Sequence, residues 1–195
     1  KARITLVDAN MTHIWKPLLH EVAAGSLNST EDELNYVAQG KWNHFNFQLG
    51  AMTSLDRERR TIQLAAIHDE NGDELIAPRE LDYDYLVISV GSTTNDFNTP
   101  GAAEHCLFLD TRAQAERFHR SLLNQYMKAQ ASERGTTREP INVAIIGAGA
   151  TGVELSAELH HAAQMLRAYG FNRISPEDLN INIIEASPRL LPALP

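Results

Sequence analysis

The chain has 195 residues, of which 43% are hydrophobic and 22% charged, as in an ordinary globular protein of one or two domains. Its formal net charge is −8 and no basic surface is evident, so nucleic acid is not expected as a partner. Cys106 is the single cysteine, which excludes an internal disulfide and suits a reducing compartment. No run of about 18 apolar residues occurs, so no membrane-spanning helix is predicted. The sequence starts in a strand pattern without a methionine, and we expect it to be part of a longer polypeptide.

The first predicted element is a strand from Arg3 to Asp8 that ends in an acid. In a dinucleotide-binding unit the second strand ends in this way, and Asp8 and Asn10 would then lie at the ribose and adenine. The sequence Asp8-Ala9-Asn10 is equally suitable for a turn after any strand. Spacing alone leaves both interpretations open.

Two short helices are predicted next. Pro17 fits the first turn of one helix and Gly25 its C-terminal stop. A second helix is predicted over 31–38, with Ser29 or Thr30 as its N-terminal cap.

An antiparallel meander follows, because short stretches with strand patterns are separated by turn residues. The predicted strands cover 45–49, 51–56, 61–67, 74–76 and 83–92. Asn71-Gly72 is a two-residue hairpin signal before the fourth of these strands. The last is predicted to be a buried strand that reaches Gly91.

A long helix is predicted after the meander. Thr111 and Gln114 form a capping box, and the helix should run to about Ala131. Residues 132–140 are polar and contain a glycine, so we expect a linker there.

A glycine motif follows the linker. Residues 141–146 are mostly apolar, as in a buried parallel strand, and a helix-forming sequence comes after the glycines. The motif G-x-G-x-x-G is formed by Gly147, Gly149 and Gly152. The first glycine would allow a tight turn, the second would let a pyrophosphate approach the backbone, and the third would let the helix pack close to the sheet. The N–H groups that begin the helix would face that pyrophosphate. The alternative is a glycine-containing strand-to-helix turn in another kind of α/β protein.

A second strand, 181–185, ends in Glu185. This acid can accept hydrogen bonds from the adenosine ribose and would repel a 2′-phosphate, so the pattern favours NAD(H) over NADP(H). Glu185 lies 38 residues after Gly147, whereas roughly 20 residues are usual. The excess can be accommodated in a long first helix and in the segment 169–180.

No metal site or catalytic side chain is predicted. The eight histidines do not pair at metal-ligand spacing, apart from the adjacent His160 and His161, which point to different faces of a helix. The motifs of serine hydrolases, P-loop proteins and zinc proteases do not occur.

These features, in this order, resemble the flavoproteins with two dinucleotide domains, in which a NAD(P)H domain is inserted into an FAD domain. Within that group the chain resembles the bacterial type II NADH:quinone oxidoreductases over essentially its whole length. The segments that carry the resemblance are Ile4–Asp8, Trp15–Ala23, Phe47–Gly50, Gly91–Phe97 and Gly149–Leu155.

The resemblance implies an α/β fold in two parts. Residues 1–109 would be a partial FAD-binding domain with an antiparallel meander, lacking its first strand and glycine loop. Residues 110–195 would be the N-terminal part of a Rossmann-like NAD(H)-binding domain.

The resemblance also assigns cofactor contacts. For FAD, Asp8, Ala9 and Asn10 would line the adenosine, Pro17 would lie beside the flavin, Met52 would offer backbone groups to the adenine, and Gly91 would back the cofactor. The NADH pyrophosphate would be held by Gly147, Gly149, Ala150, Thr151 and Gly152. Glu185 would bind the adenosine ribose, and Glu154 would stand near the nicotinamide. The alternative for Glu154 is a first-turn glutamate that suits the helix dipole.

The implied activity is that of a respiratory, non-proton-pumping NADH:quinone oxidoreductase, in which FAD takes a hydride from NADH and reduces a membrane quinone. The intact protein would be peripheral on the cytoplasmic side of the bacterial inner membrane, and a homodimer is left open. Membrane-binding and quinone-site regions are expected outside this chain, which alone should be soluble and inactive.

Other activities remain open. One alternative is an FAD- and NAD-dependent reductase whose acceptor is a ferredoxin or rubredoxin, and another is a non-catalytic NAD(H)-binding module. Disulfide reductases and sulfide:quinone oxidoreductases need paired redox cysteines, which Cys106 alone does not supply.

Overall fold

The computed structural model describes residues 2–28, 30–131, 140–171 and 175–191. In chain order, the strands are β1 Thr5–Asp8, β2 Thr12–His13, β3 Leu34–Asn35, β4 Asn46–Leu49, β5 Met52–Asp56, β6 Thr61–Leu64, β7 Ile67–His68, β8 Glu74–Ile76, β9 Arg79–Asp82, β10 Ile141–Ile146 and β11 Leu179–Ile184. The α-helices are α1 Leu19–Ala24, α2 Tyr36–Asn43, α3 Ala102–His105, α4 Arg112–Ala131 and α5 Ala150–Met165. Short 3₁₀ turns cover Lys16–Leu18, Leu166–Tyr169 and Pro176–Asp178.

The chain divides into two compact units. Unit 1 comprises Lys1–His13 and Glu33–Gly91, and unit 2 comprises Ile14–Asp32 and Ser92–Pro195. The predicted boundary at residue 109 concerns ligand-binding domains, and it stays a prediction.

The predicted antiparallel meander in unit 1 is confirmed for β5, β6 and the β7–β8 hairpin, but the predicted strand 45–49 pairs in parallel with β1, and the third strand of the sheet is β9, which was not predicted. Strands β5, β6 and β9 form one antiparallel sheet, and β7 and β8 form a hairpin around Gly72, whose φ is 89°. Ile62 and Leu64 of β6 are buried in this unit. Strands β1 and β4 are parallel, with Asp8 opposite Leu49, and β2 pairs with β3.

Unit 2 is built on a parallel pair of strands and three helices. Strand β10 runs parallel to β11, and α1 packs against both α4 and α5. Helix α5 buries Leu155, Leu159 and Ala163, which are four residues apart and therefore lie on one face. That face forms a core with further buried apolar residues: Leu19, Val22, Ala23, Ala115, Leu122, Tyr126, Ile145 and Leu179.

The predicted helix ends in unit 2 are confirmed. Pro17 lies in the 3₁₀ turn before α1, and Gly25 ends α1 with a φ of 88°. At α4 the N–H of Gln114 donates to Thr111 Oγ1 at 3.3 Å, and the N–H of Thr111 donates to Gln114 Oε1 at 3.0 Å. These reciprocal bonds form the predicted capping box. The predicted linker at 132–140 lies outside the described residues except for Pro140.

The prediction of a helix over 31–38 was wrong. Helix α2 begins at Tyr36, and its cap is Asn35, whose Oδ1 accepts the N–H of Ala38 at 3.0 Å. Thr30 lies instead in a turn, where its N–H donates to Asn28 Oδ1. An asparagine side chain satisfies a free helix N–H as well as a hydroxyl does, and the short β2–β3 pairing keeps the preceding residues extended.

The prediction of a buried strand over 83–92 was also wrong. This segment has no regular structure, and Tyr85, Val87 and Val90 are 95%, 83% and 84% exposed. A strand needs a neighbour to pair its backbone N–H and C=O groups, and no strand of the described residues pairs with this segment.

Strand β10 is parallel, as predicted, but it is not buried on both faces. Ile145 is 7% exposed, whereas the adjacent Ile146 is 69% exposed. The alternation arises because successive side chains of a strand point to opposite faces, and one face packs on the core of unit 2. None of the described helices is long and apolar enough to cross a lipid bilayer.

Candidate dinucleotide-binding site

The loop after β10 begins with a glycine in a conformation that other residues avoid. Gly147 has a φ of 107°, and its N–H donates to the Ile184 carbonyl at 2.8 Å. This bond continues the pairing of β10 with β11 while the chain turns away from the sheet. The turn therefore requires a residue without a Cβ.

Gly152 is the point of closest contact between α5 and the loop. A Cβ at this position would lie 2.1 Å from the Gly147 carbonyl oxygen and 3.3 Å from Ile145 Cγ2. Only a hydrogen fits there, so the third glycine allows the helix to start directly against the loop.

Gly149 faces open space. A Cβ built there would meet nothing within 4 Å, and the residue has an extended conformation with φ −71° and ψ −179°. Helix α5 starts at Ala150, and its first backbone bond runs from the Val153 N–H to the Gly149 carbonyl at 3.1 Å. The N–H groups before Val153 have no partner within the helix, and they begin a 16-residue dipole. An anion can therefore approach the backbone of Gly149, Ala150 and Thr151.

Glu185 is tied to this loop. Its Oε2 accepts the N–H of Ala148 at 2.8 Å, and its Oε1 accepts the N–H of Ser187 at 2.8 Å. The Ala148 bond and then the Ser187 bond hold the pKa of Glu185 below its ordinary value. The group is therefore an anion at neutral pH, and each oxygen keeps a lone pair for another donor such as a ribose hydroxyl.

Glu154 lies on α5 beyond the first turn, which contains no acidic residue. The alternative of a first-turn glutamate is therefore wrong in its placement. The side chain is 52% exposed, and its Oε2 lies 3.7 Å from Nδ1 of the buried His20 on α1. Glu154 is thus accessible, and its contact with the nicotinamide stays a prediction.

In unit 1 the acid at the end of β1 is engaged in a turn. Asp8 Oδ1 accepts the Asn10 N–H at 2.8 Å and the Asn10 side-chain amide at 3.2 Å. Asp8 Oδ2 accepts the Tyr36 hydroxyl at 3.0 Å. The turn interpretation is therefore correct, and a ribose contact by the same carboxylate stays a prediction.

The other residues predicted to contact FAD are accessible. The Gly50 N–H donates to the Asp8 carbonyl at 2.8 Å, which brings the end of β1 beside the chain that enters β5 at Met52. Met52 is 40% exposed, and Gly91 has a φ of 73° with open space around it. Pro17 is exposed in unit 2. Their cofactor contacts stay predictions.

Sequence reasoning missed Tyr36 and a polar network in unit 2. Lys16 Nζ donates to Asp110 Oδ1 at 3.1 Å and to the Ser92 carbonyl, and the Thr94 N–H donates to both oxygens of Asp110 at 2.9 and 3.0 Å. Burial pushes the pKa of Asp110 upwards, but the bonds from Thr94 and Lys16 outweigh it and hold that pKa below its ordinary value. Lys16 and Asp110 are 94 residues apart, so no local pattern indicates the pair.

A different depression in unit 1 does not coincide with the predicted site. It has a volume of about 490 Å³ and is lined by Val37, Gly40, Lys41, His44, Phe45, Asn46 and Phe47. None of the residues predicted to bind a cofactor lines it, so we assign it no role. Among the described residues, no three side chains of His, Cys, Asp or Glu cluster closely enough to hold a metal ion.

Comparison with known proteins places this geometry in a family. Residues 1–195 match the family described as pyridine nucleotide-disulphide oxidoreductase. The chain belongs to this family. The α/β fold class predicted from the sequence is thereby confirmed, with its strand–glycine loop–helix unit.

Individual relatives agree with this assignment. The chain is 44% identical to the type II NADH:quinone oxidoreductase of Haemophilus influenzae over 207 aligned residues, covering 100% of this chain and 47% of that protein. It is 33% identical to the mitochondrial external alternative NAD(P)H-ubiquinone oxidoreductase B1 of Solanum tuberosum, covering 80% of this chain and 28% of that protein. The predicted resemblance to type II NADH:quinone oxidoreductases is confirmed. The chain spans about half the length of the first of these relatives.

Solved structures show the same fold. NDH2 from Plasmodium falciparum in complex with NADH superposes with a TM-score of 0.78 at 24% identity, covering 99% of this chain and 39% of that chain. A ferredoxin reductase from Rhodopseudomonas palustris superposes with a TM-score of 0.63 at 19% identity, covering 99% of this chain and 38% of that chain.

Proposed function

We propose that the chain is the FAD- and NADH-binding part of an NADH:quinone oxidoreductase. The observation that carries the proposal is the glycine loop. Gly152 admits no side chain against Gly147, while the space over Gly149 is open at the start of a 16-residue helix. This geometry suits a pyrophosphate, whose negative charge is favoured by the free N–H groups and the dipole of the helix.

The residues around the loop have separate roles in this proposal. The backbone of Gly147, Gly149, Ala150, Thr151 and Gly152 holds the pyrophosphate of NADH. Glu185 accepts hydrogen bonds from the adenosine ribose, and its fixed negative charge repels the extra phosphate of NADPH. Glu154, half exposed on α5, stands beside the nicotinamide. No side chain of the described residues is needed as a general acid or base.

The FAD site uses residues 1–109, and the NAD(H) site uses residues 110–195. In the first part, Asp8, Ala9 and Asn10 line the FAD adenosine, and the backbone of Met52 contacts the adenine. Pro17 lies beside the flavin, and Gly91 backs the cofactor. When bound, the cofactors supply the redox chemistry, which is transfer of a hydride from the nicotinamide to the flavin. The protein positions the two rings and excludes side reactions.

The electron acceptor in this proposal is a quinone, because the named relatives from H. influenzae and S. tuberosum are quinone and ubiquinone oxidoreductases. The intact protein would bind peripherally to the cytoplasmic face of the bacterial inner membrane, through regions outside this chain, and its oligomeric state, a homodimer or a monomer, is left open. Size measurement in detergent and membrane fractionation test these two points.

The test is an anaerobic absorbance titration of the intact protein with NADH and, separately, with NADPH. We expect a flavin spectrum that bleaches with NADH, resists NADPH, and returns when a quinone is added. A flavin that is reoxidised by a ferredoxin or rubredoxin but not by a quinone would replace the quinone with a protein acceptor. A colourless protein that binds NADH would leave only a non-catalytic binding module.

A further inference from the structure

His20 is a buried histidine whose ring lacks a hydrogen bond at one nitrogen. Its residue is 8% exposed, and Nδ1 has no hydrogen-bond partner among the described residues. A buried polar atom without a partner costs free energy, and native proteins retain few of them. The Nδ1 position is therefore open to a further hydrogen-bond partner.

The nearest candidate partner is Glu154. Its Oε2 lies 3.7 Å from His20 Nδ1, which is beyond hydrogen-bond distance but within reach of a side-chain rotation. His20 is buried on α1, whereas the Glu154 side chain is 52% exposed on α5. In a protein without its ligand, the hydrogen bonds that the ligand completes often have long donor–acceptor distances.

Few other charges reach this imidazole. Glu21 on the same helix lies 4.0 Å from Nε2, and Glu154 is the carboxylate nearest Nδ1 among the described residues. On the helices packed against α1, Glu158 is bonded to Ser26 and Glu116 to Arg112, while His119 lies against Gly25 with its Nδ1 unpaired among the described residues.

We infer that His20 is a positioning residue for Glu154: when a nicotinamide dinucleotide binds, Glu154 turns inwards, and His20 Nδ1–H donates to its carboxylate. This inference rests on the proposed function, because it places Glu154 beside the nicotinamide. The contact fixes a carboxylate that otherwise moves in solvent. It also satisfies the unpaired nitrogen of His20.

Closure of this contact is linked to protons. A carboxylate brought against an imidazole favours the protonated ring. Dinucleotide binding should therefore draw a proton from the buffer. Glu21 lies on the other side of the His20 ring both with and without bound dinucleotide. Proton uptake on binding therefore reports the movement of Glu154.

The experiment is calorimetry of NAD⁺ binding to the intact, FAD-loaded protein at pH 7, in buffers with different ionisation enthalpies. NAD⁺ is used because it binds without reducing the flavin. We expect uptake of a fraction of one proton per NAD⁺ in the wild type. His20→Phe should abolish the uptake and weaken NAD⁺ binding about tenfold, the factor that corresponds to about 1.4 kcal/mol.

Three further variants separate positioning from stability. His20→Asn keeps a donor attached to the same carbon as Nδ1 but does not titrate, so it should bind NAD⁺ like the wild type without proton uptake. Glu154→Gln changes a half-exposed residue and should also lose the uptake. His119→Phe is the matched control, since its Nδ1 is likewise unpaired in unit 2 and lies against Gly25, and it should retain the uptake.

The proton-uptake experiment can fail independently of the flavin titration that tests the proposed function. Proton uptake that persists in His20→Asn and Glu154→Gln overturns the inference, even if NADH bleaches the flavin normally. A protein whose flavin is not reduced by NADH, but which loses NAD⁺-linked proton uptake in both variants, overturns the activity and supports the role of His20.

Discussion

The backbone N–H of Ala148 donates a hydrogen bond to Glu185 Oε2 across 2.8 Å, and this bond ties the end of β11 to the glycine loop after β10. The same carboxylate is the group expected to select NADH over NADPH. Its orientation is therefore set by the loop that would hold the pyrophosphate, and the two parts of the site are coupled.

Glu185→Gln should reduce the preference for NADH over NADPH about tenfold in the intact protein, because the charge that repels a 2′-phosphate is lost. Steady-state kcat/KM for the two nucleotides measures the change. Glu104→Gln, at an exposed glutamate of unit 2, is the control and should leave the preference unchanged. Since the pKa of Glu185 is held below its ordinary value of 4.5, the carboxylate stays ionised over about pH 6 to 8 and contributes no pH dependence of its own to the wild-type preference. An unchanged preference in Glu185→Gln would contradict the ribose contact.

Two glycine substitutions should have different effects: Gly152→Ala should reduce stability, and Gly149→Ala should weaken NADH binding. A Cβ at residue 152 would lie 2.1 Å from the Gly147 carbonyl oxygen, so the loop must shift, and we expect a loss of stability of about 1–3 kcal/mol. A Cβ at residue 149 meets nothing within 4 Å, so that variant should fold normally and bind NADH more weakly. Thermal unfolding and NADH titration of both proteins check this. Wild-type NADH binding by Gly149→Ala would refute the placement of the pyrophosphate.

Loss of the side-chain hydroxyl should affect stability differently at half-buried Tyr36 and at buried Tyr126. Tyr36→Phe removes the bond to Asp8 but keeps the stacking on Phe47, and should destabilise the protein by about 1 kcal/mol. Tyr126→Phe removes a buried hydroxyl without a partner among the described residues, and should be neutral or stabilising. Denaturant unfolding measures both. Equal destabilisation by the two changes would argue against the Tyr36–Asp8 bond.

Alkaline titration provides a separate check on the same pair. Burial first, and then the neighbouring Asp8, raise the pKa of Tyr36 to about 12, and burial raises that of Tyr126 to about 12. Stability from the Tyr36 hydroxyl is therefore complete below pH 10.0 and is lost as the pH rises towards 12. Tyrosinate absorbance should show a late step that decreases in each phenylalanine variant.

Asp110→Asn should loosen the segment that follows Gly91. The carboxylate holds the Thr94 N–H and Lys16, and an amide has one acceptor oxygen and no charge. Hydrogen exchange of the Thr94 amide should become faster, while exchange in the core strand β11 should not change. The lowered pKa of Asp110 means that its stabilisation is present above its ordinary pKa of 3.8 and is lost as the pH falls through the lowered value. Unchanged exchange at Thr94 would show that the network does not order this segment.

The glycine unit could be predicted because its requirements are local. Gly147 needs a positive φ and Gly152 needs room against the loop, and both needs are met by a residue type that is visible in the sequence. The ends of α1 and α4 were predictable for the same reason. The residues that set them affect only the backbone within a few positions: Pro17, Gly25, Thr111 and Gln114.

Elements that depend on distant partners were not predictable. The apolar segment 83–92 has the composition of a buried strand, but it pairs with no described strand and is largely exposed. Helix α2 starts at Tyr36 because Asn35 caps it while the preceding residues pair with β2, which is more than 20 residues earlier. In both cases the presence or absence of a pairing strand outweighs local preference.

The sequence by itself determined the strand–loop–helix unit and its acid-ended partner strand, because these depend on local residue types. It indicated the family through the resemblance of several segments to known members. Only the tertiary structure decided that Glu185 binds the Ala148 N–H, that Tyr36 holds Asp8, and that His20 faces Glu154 with an unpaired nitrogen. These pairs are 28 to 134 residues apart or packed in a shared core, and their distances are set by the way the helices and strands pack around it.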